Sequence, residues 1–112
     1  MADLDDFQVR LKAMSSAYAA ELPQKIRQIE TAWVSLAQGA WDEAGFQSLH
    51  RITHSLTGSG RTFGFAMLSD AARALENTLA EIVQAKTKPD EEQRNRIRME
   101  LSALQEALKQ RS

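Results

Sequence analysis

The chain has 112 residues, a net charge of −1, 43% apolar and 26% charged residues, which is the size and balance of one folded domain. It contains no cysteine, so a disulfide framework, a CxxC zinc site and a thiol nucleophile are excluded. The near-neutral charge excludes a bulk basic field for nucleic acid or anionic membrane, and no apolar run approaches the roughly 20 residues that cross a bilayer.

The opening Met1-Ala2-Asp3-Leu4-Asp5-Asp6 is acidic and unlike a secretory or mitochondrial leader, so a cytoplasmic protein is expected. Alanine (17) and leucine (12) far outnumber valine (3) and isoleucine (5), a composition that favours helices over strands. From Leu4 the apolar residues run Phe7, Leu11, Met14, Tyr18, Leu22, Ile26, Ile29, Trp33 and Leu36. Every step is three or four, which predicts one buried helical stripe. Pro23 removes a backbone donor inside it, so a kink or two abutting helices are expected there, with both halves facing one core.

Asp42 is a candidate N-cap for a second helix from about Glu43 to about Arg61, with Gly45, Leu49, Ile52, Leu56 and Phe63 roughly in line and Gly64 closing it. A third helix is predicted from about Phe65 to Ala85, carrying Leu68, Ala72, Leu75, Leu79 and Ile82. Thr87-Lys88-Pro89-Asp90 breaks the chain before a last helix with Ile97, Leu101, Leu104 and Leu108. Amphipathic segments joined by short turns pack most economically as an all-α, up-down antiparallel four-helix bundle, here with an N-terminal helical extension or a kinked first helix. Residues 1–112 form a single domain, and a bundle of this kind needs no second copy, so a monomer is expected.

Both histidines, His50 and His54, lie on the second helix. At about 100° per residue, the predicted apolar stripe falls roughly opposite His54. Glu43, Gln47, His50, Arg51, Thr57, Gly58 and Arg61 share the polar side of His54, and Phe46 stands off the stripe, either as a candidate apolar anchor for a partner or packed under the first segment. Gly58 and Gly60 each cost roughly 1 kcal/mol in a helix interior relative to alanine. Close packing against a neighbouring helix accounts for Gly60. Gly58 points outward beside His54, where it would strip bulk from around the imidazole and let another protein approach.

The string His54-Ser55-Leu56-Thr57-Gly58-Ser59-Gly60-Arg61-Thr62-Phe63-Gly64, followed by Leu68 and Leu75-Glu76, resembles the histidine-containing phosphotransfer (HPt) domain of bacterial two-component phosphorelays. The resemblance implies a phosphocarrier without autonomous catalytic activity. His54 would accept a phosphoryl group from a receiver-domain aspartate or a histidine kinase, hybrid or soluble, and pass it to a response-regulator receiver. Glu76, at the position of a glutamate that often orients the family's histidine, would hold Nδ1–H and leave Nε2 as the nucleophile. Gln47, Arg51, Thr57, Gly58 and Arg61 would form the partner-docking face. The chain itself would hold no metal or other cofactor, because the magnesium that phosphoryl transfer uses would sit on the receiver. The family usually has lysine where this chain has Thr57; Arg51, Arg61 or Arg73 could supply the missing charge.

Two other readings stand beside this one. One is a helical adaptor bundle that has lost phosphotransfer, invited by Thr57. The other is a metal-binding bundle through His50 and His54, whose spacing of four suits zinc or copper, although Arg51 beside them disfavours a cation. Nucleic-acid binding through Arg94, Arg96 and Arg98 is weakened by Asp90, Glu91, Glu92 and Glu100 around them.

Overall fold

The computed structural model describes residues 2–110, with side chains from residue 5 onward. It has four helices, α1 (Ala2–Gln38), α2 (Glu43–Thr62), α3 (Ala66–Ala85) and α4 (Glu91–Lys109). Helix α2 packs on α3, α3 on α4, and α1 on both α2 and α4. Each helix therefore has two neighbours around one core, the up-down bundle that the short connections favour.

Local chemistry fixes the ends. Asp42 caps α2, its Oδ1 accepting from the Gly45 backbone N–H at 2.9 Å. Asp90 and Gln93 form a reciprocal capping box at the start of α4. Between α2 and α3, Gly64 takes φ +87°, a backbone conformation that glycine adopts without steric cost. The turn closes through Phe65 N–H donating to the Gly60 carbonyl at 2.7 Å.

Helix α1 runs unbroken through Pro23, so there are not two abutting helices. The predicted stripe is buried only from Tyr18 onward: Tyr18, Leu22, Ile26, Ile29 and Trp33 join the core, whereas Phe7, Leu11 and Met14 are exposed. The reason is length. At 1.5 Å per residue, α1's 37 residues span about 55 Å, against about 30 Å for each of the other helices. The first turns of α1 thus project as a helical extension along the 57 Å long axis of the molecule.

The buried face of α2 also differs from the predicted stripe. Phe46, Leu49, Thr53, Leu56, Thr57 and Gly60 are the buried residues, an arc rotated about 60° toward α3 from the apolar line. Phe46 is therefore not a partner anchor. It is fully buried, stacked on Trp41 with ring centroids 5.2 Å apart and edge-on to Trp33 at 6.3 Å. Two threonines fit the arc because each returns its hydroxyl to its own helix: Thr53 donates to the Leu49 carbonyl at 2.8 Å and Thr57 to that of Thr53 at 3.1 Å.

Candidate functional site around His54

The rotation of α2 decides where His54 points. With the buried arc turned toward α3, His54 sits on the shoulder between α2 and α3 instead of directly opposite the core. Its Nδ1 lies 2.6 Å from Glu76 Oε2 on α3. An ionised carboxylate can only accept, so in this contact Nδ1 is the donor, and in the neutral Nδ1–H tautomer the lone pair is on Nε2. The His54 side chain is 70% exposed and that of Glu76 only 17%. The carboxylate is thus largely withdrawn from solvent while the ring it contacts stays open.

His50, one turn earlier, turns toward the same carboxylate. Its Nε2 is 4.0 Å from Glu76 Oε2, and the two imidazoles are nearly parallel, with centroids 6.4 Å apart. Glu76 thus faces two rings, a convergence that the sequence spacing of His50 and His54 alone did not show. Among the described residues no group of three or more His, Cys, Asp and Glu is placed to hold a metal ion, so the two-histidine metal reading gains no third ligand.

Gly58 follows one turn after His54, and a Cβ built on it would meet nothing within 4 Å. Gly60 behaves differently, since a Cβ there would lie 3.4 Å from the Ser69 backbone nitrogen and 3.5 Å from its Cα. The two glycines divide as their directions suggest: Gly60 lets α3 approach, and Gly58 leaves space over the surface.

Gln47, Arg51 and Arg61 are exposed on α2. Thr57 is not; expected on the docking face, it is buried against α3, where its carbonyl accepts from the Ser69 hydroxyl at 2.7 Å. The family's usual lysine position therefore holds a residue that cannot present a polar group to a partner. Arg51 and Arg61 on α2 and Arg73 on α3 are exposed, and none of them forms an ion pair among the described residues. Arg51 lines grooves on both sides of α2. One, about 380 Å³, holds Gln47, His50, His54, Glu76 and Val83. The other, about 360 Å³, lies toward α1 and brings Lys25, Gln28 and Ser55 over a floor of Ile29, Ile52 and Leu56.

On α4, Arg96 is held by a two-pronged contact with Glu81, at 3.0 and 2.8 Å, and Arg98 donates to Asn95. Two of the three arginines of the nucleic-acid reading are thus engaged within the bundle. No helix among the described residues is long and apolar enough to cross a membrane.

Comparison with curated proteins and with solved structures gave no match. The Hpt domain family matches residues 13–107, which takes in all of α2 and α3 and most of α1 and α4. With most of the chain inside that match, the protein belongs to the Hpt domain family, the histidine phosphotransfer modules of phosphorelays.

Proposed function

We propose that Nε2 of His54 is the atom that carries the phosphoryl group, taking it from the aspartyl phosphate of a receiver domain or from a histidine kinase and giving it to a second receiver. The observation that supports this most directly is the 2.6 Å contact from Nδ1 to Glu76 on a ring that is otherwise open. When a receiver is the donor, the Nε2 lone pair attacks phosphorus, the bond from phosphorus to the aspartyl oxygen breaks, and the aspartate leaves as a carboxylate. Positive charge then develops on the imidazole, beside the carboxylate of Glu76, which holds the proton on Nδ1. Magnesium supplied by the receiver would neutralise the phosphoryl oxygens, assisted from this side by Arg51, Arg61 or Arg73.

Gly58 and the exposed Gln47, Arg51 and Arg61 are assigned to the docking face. The domain lends an oriented nucleophile and a cleared approach; the metal and the remaining catalytic groups come from the partner. By the same resemblance the relay is assigned to the bacterial cytoplasm.

The test is incubation with a phosphorylated receiver. The parent chain is expected to gain acid-labile phosphate and His54→Gln to gain none. Equal labelling of both would remove His54 from the role, and no labelling of the parent by any receiver or kinase tried would favour an adaptor that has kept the fold without the transfer.

A further inference from the structure

The projecting part of α1 carries a feature that phosphotransfer does not use. Phe7, Leu11 and Met14 are 62%, 46% and 56% exposed, on the face that Tyr18, Leu22 and Ile26 bury further along the same helix. With Asp6 and Arg10 they border a surface concavity of about 430 Å³. The family match begins at residue 13, so most of this face lies outside the Hpt domain proper. Asp5, Asp6, Arg10 and Lys12 make no ion pair within the described chain.

We propose that this face pairs with the same face of a second copy of the chain, the two α1 extensions lying antiparallel. The steps of four and three residues through Phe7, Leu11 and Met14 are the spacing at which two helices interlock along a seam. Charge then selects the direction. Two acids, Asp5 and Asp6, precede two bases, Arg10 and Lys12, by about one to two turns. When Phe7 of each copy faces Leu11 of the other, Lys12 comes within one residue's rise of the second copy's Asp5 on one edge. Arg10 comes within two residues' rise, about 3 Å along the axis, of its Asp6 on the other edge. A parallel, in-register pair would set acid on acid and base on base, and would align the helix dipoles.

Three apolar side chains per copy form a small patch, below the roughly 1,200 Å² of a stable complex, so the dimer is weak and depends on concentration. His54 lies on the shoulder between α2 and α3, away from the projecting turns, so pairing leaves it open. The proposal does not depend on the phosphotransfer reading.

Sedimentation velocity on the full chain, across about a hundredfold range of concentration, tests it. The parent is expected to shift from monomer toward dimer as concentration rises. Leu11→Glu should remain monomeric throughout with an unchanged circular dichroism spectrum. Two charge variants test direction: Arg10→Asp with Lys12→Asp makes the extension wholly acidic, and Asp5→Lys with Asp6→Lys makes it basic apart from Asp3. Each is expected to be monomeric alone, and an equimolar mixture to dimerise at least as well as the parent. A parent that stays monomeric throughout overturns the proposal and leaves the face to some other occupant. Dimers that survive Leu11→Glu, or a mixture that does not associate, overturn it as well.

Discussion

Gly58 and Gly60 lie two residues apart in one helix, yet their surroundings predict different responses to the same substitution. At Gly58 an added methyl meets nothing within 4 Å, so alanine should recover the helix propensity that glycine forgoes, about 0.8–1.0 kcal/mol. For a domain of this size that corresponds to a melting temperature roughly 4 °C higher. At Gly60 the methyl would sit in contact with the Ser69 backbone, 3.4 Å from its nitrogen, beside the Ser69 hydrogen bond to the Thr57 carbonyl. With no space to spare there, Gly60→Ala should gain less stability than Gly58→Ala. Function separates the sites further. Gly58→Ala should transfer phosphate at close to the parent rate. Gly58→Glu should fold as well as the parent, about 0.5 kcal/mol more stable by propensity, but place a long anionic chain where the receiver must approach. A misplacement of about 1 Å can cost on the order of 100-fold in rate, so transfer should fall by at least about tenfold. Thermal melts by circular dichroism and single-turnover transfer from a phosphorylated receiver read the two effects independently. Parent-like transfer by Gly58→Glu would refute the docking argument, and a lower melting temperature for Gly58→Ala would refute the open environment on which it rests.

Glu76→Gln keeps an acceptor for Nδ1–H but removes the charge that faces the developing imidazolium, so transfer to and from His54 should slow by about 10- to 100-fold with no change in the melt. ¹⁵N NMR of the imidazole should show less of the Nδ1–H tautomer. Phe46→Ala empties a fully buried aromatic site and should cost about 3–5 kcal/mol in chemical denaturation, with receiver affinity unchanged while the domain remains folded. Glu100 on α4 has its carboxyl pushed above the usual range by burial, opposed by the hydrogen bond from Thr78 and by nearby Arg96. Its ionised form is therefore disfavoured by folding, so its contribution to stability falls as pH rises from the ordinary carboxylate range through the raised value. Glu100→Gln should then raise the melting temperature at neutral pH, with the gain disappearing at pH values low enough to protonate the carboxyl in both states.

Periodicity revealed the four helices because each apolar stripe repeats over several turns, and Asp42, Gly64 and Asp90 mark ends whose chemistry is local. What it did not reveal was where a stripe meets another helix. Phe7, Leu11 and Met14 continue the pattern of Leu22 and Ile26 without a change of phase, and only the shorter lengths of α2, α3 and α4 leave them uncovered. On α2 the apolar line misplaced the buried face because Thr53, Thr57 and Gly60 are not apolar by composition. They are buried because a hydroxyl can bond back to its own helix and a glycine can accept a close neighbour. Thr57 was consequently assigned to the wrong side. His54 was legible from the motif around it, whereas Glu76 came from the resemblance. No regularity within α3 singles it out from its other polar positions.

The rotation of α2 also bears on how a carrier can serve two partners. A histidine directly opposite the core would be more exposed, but no side chain of a neighbouring helix could reach its ring, and its tautomer would be set by solvent. One deeper in the interface would be oriented but closed to a receiver. On the shoulder, one ring nitrogen meets a carboxylate that is mostly withdrawn from water, and the remainder of the ring stays outside. The backbone carbonyl of residue 57, which accepts from the Ser69 hydroxyl, and Gly60, which α3 approaches, lie in the contact that holds that angle. A lysine at 57 would have to thread its stem out of the same contact. On the proposed reading, threonine at 57 places no cation beside the phosphoryl group, and that charge would fall to the exposed Arg51, Arg61 or Arg73.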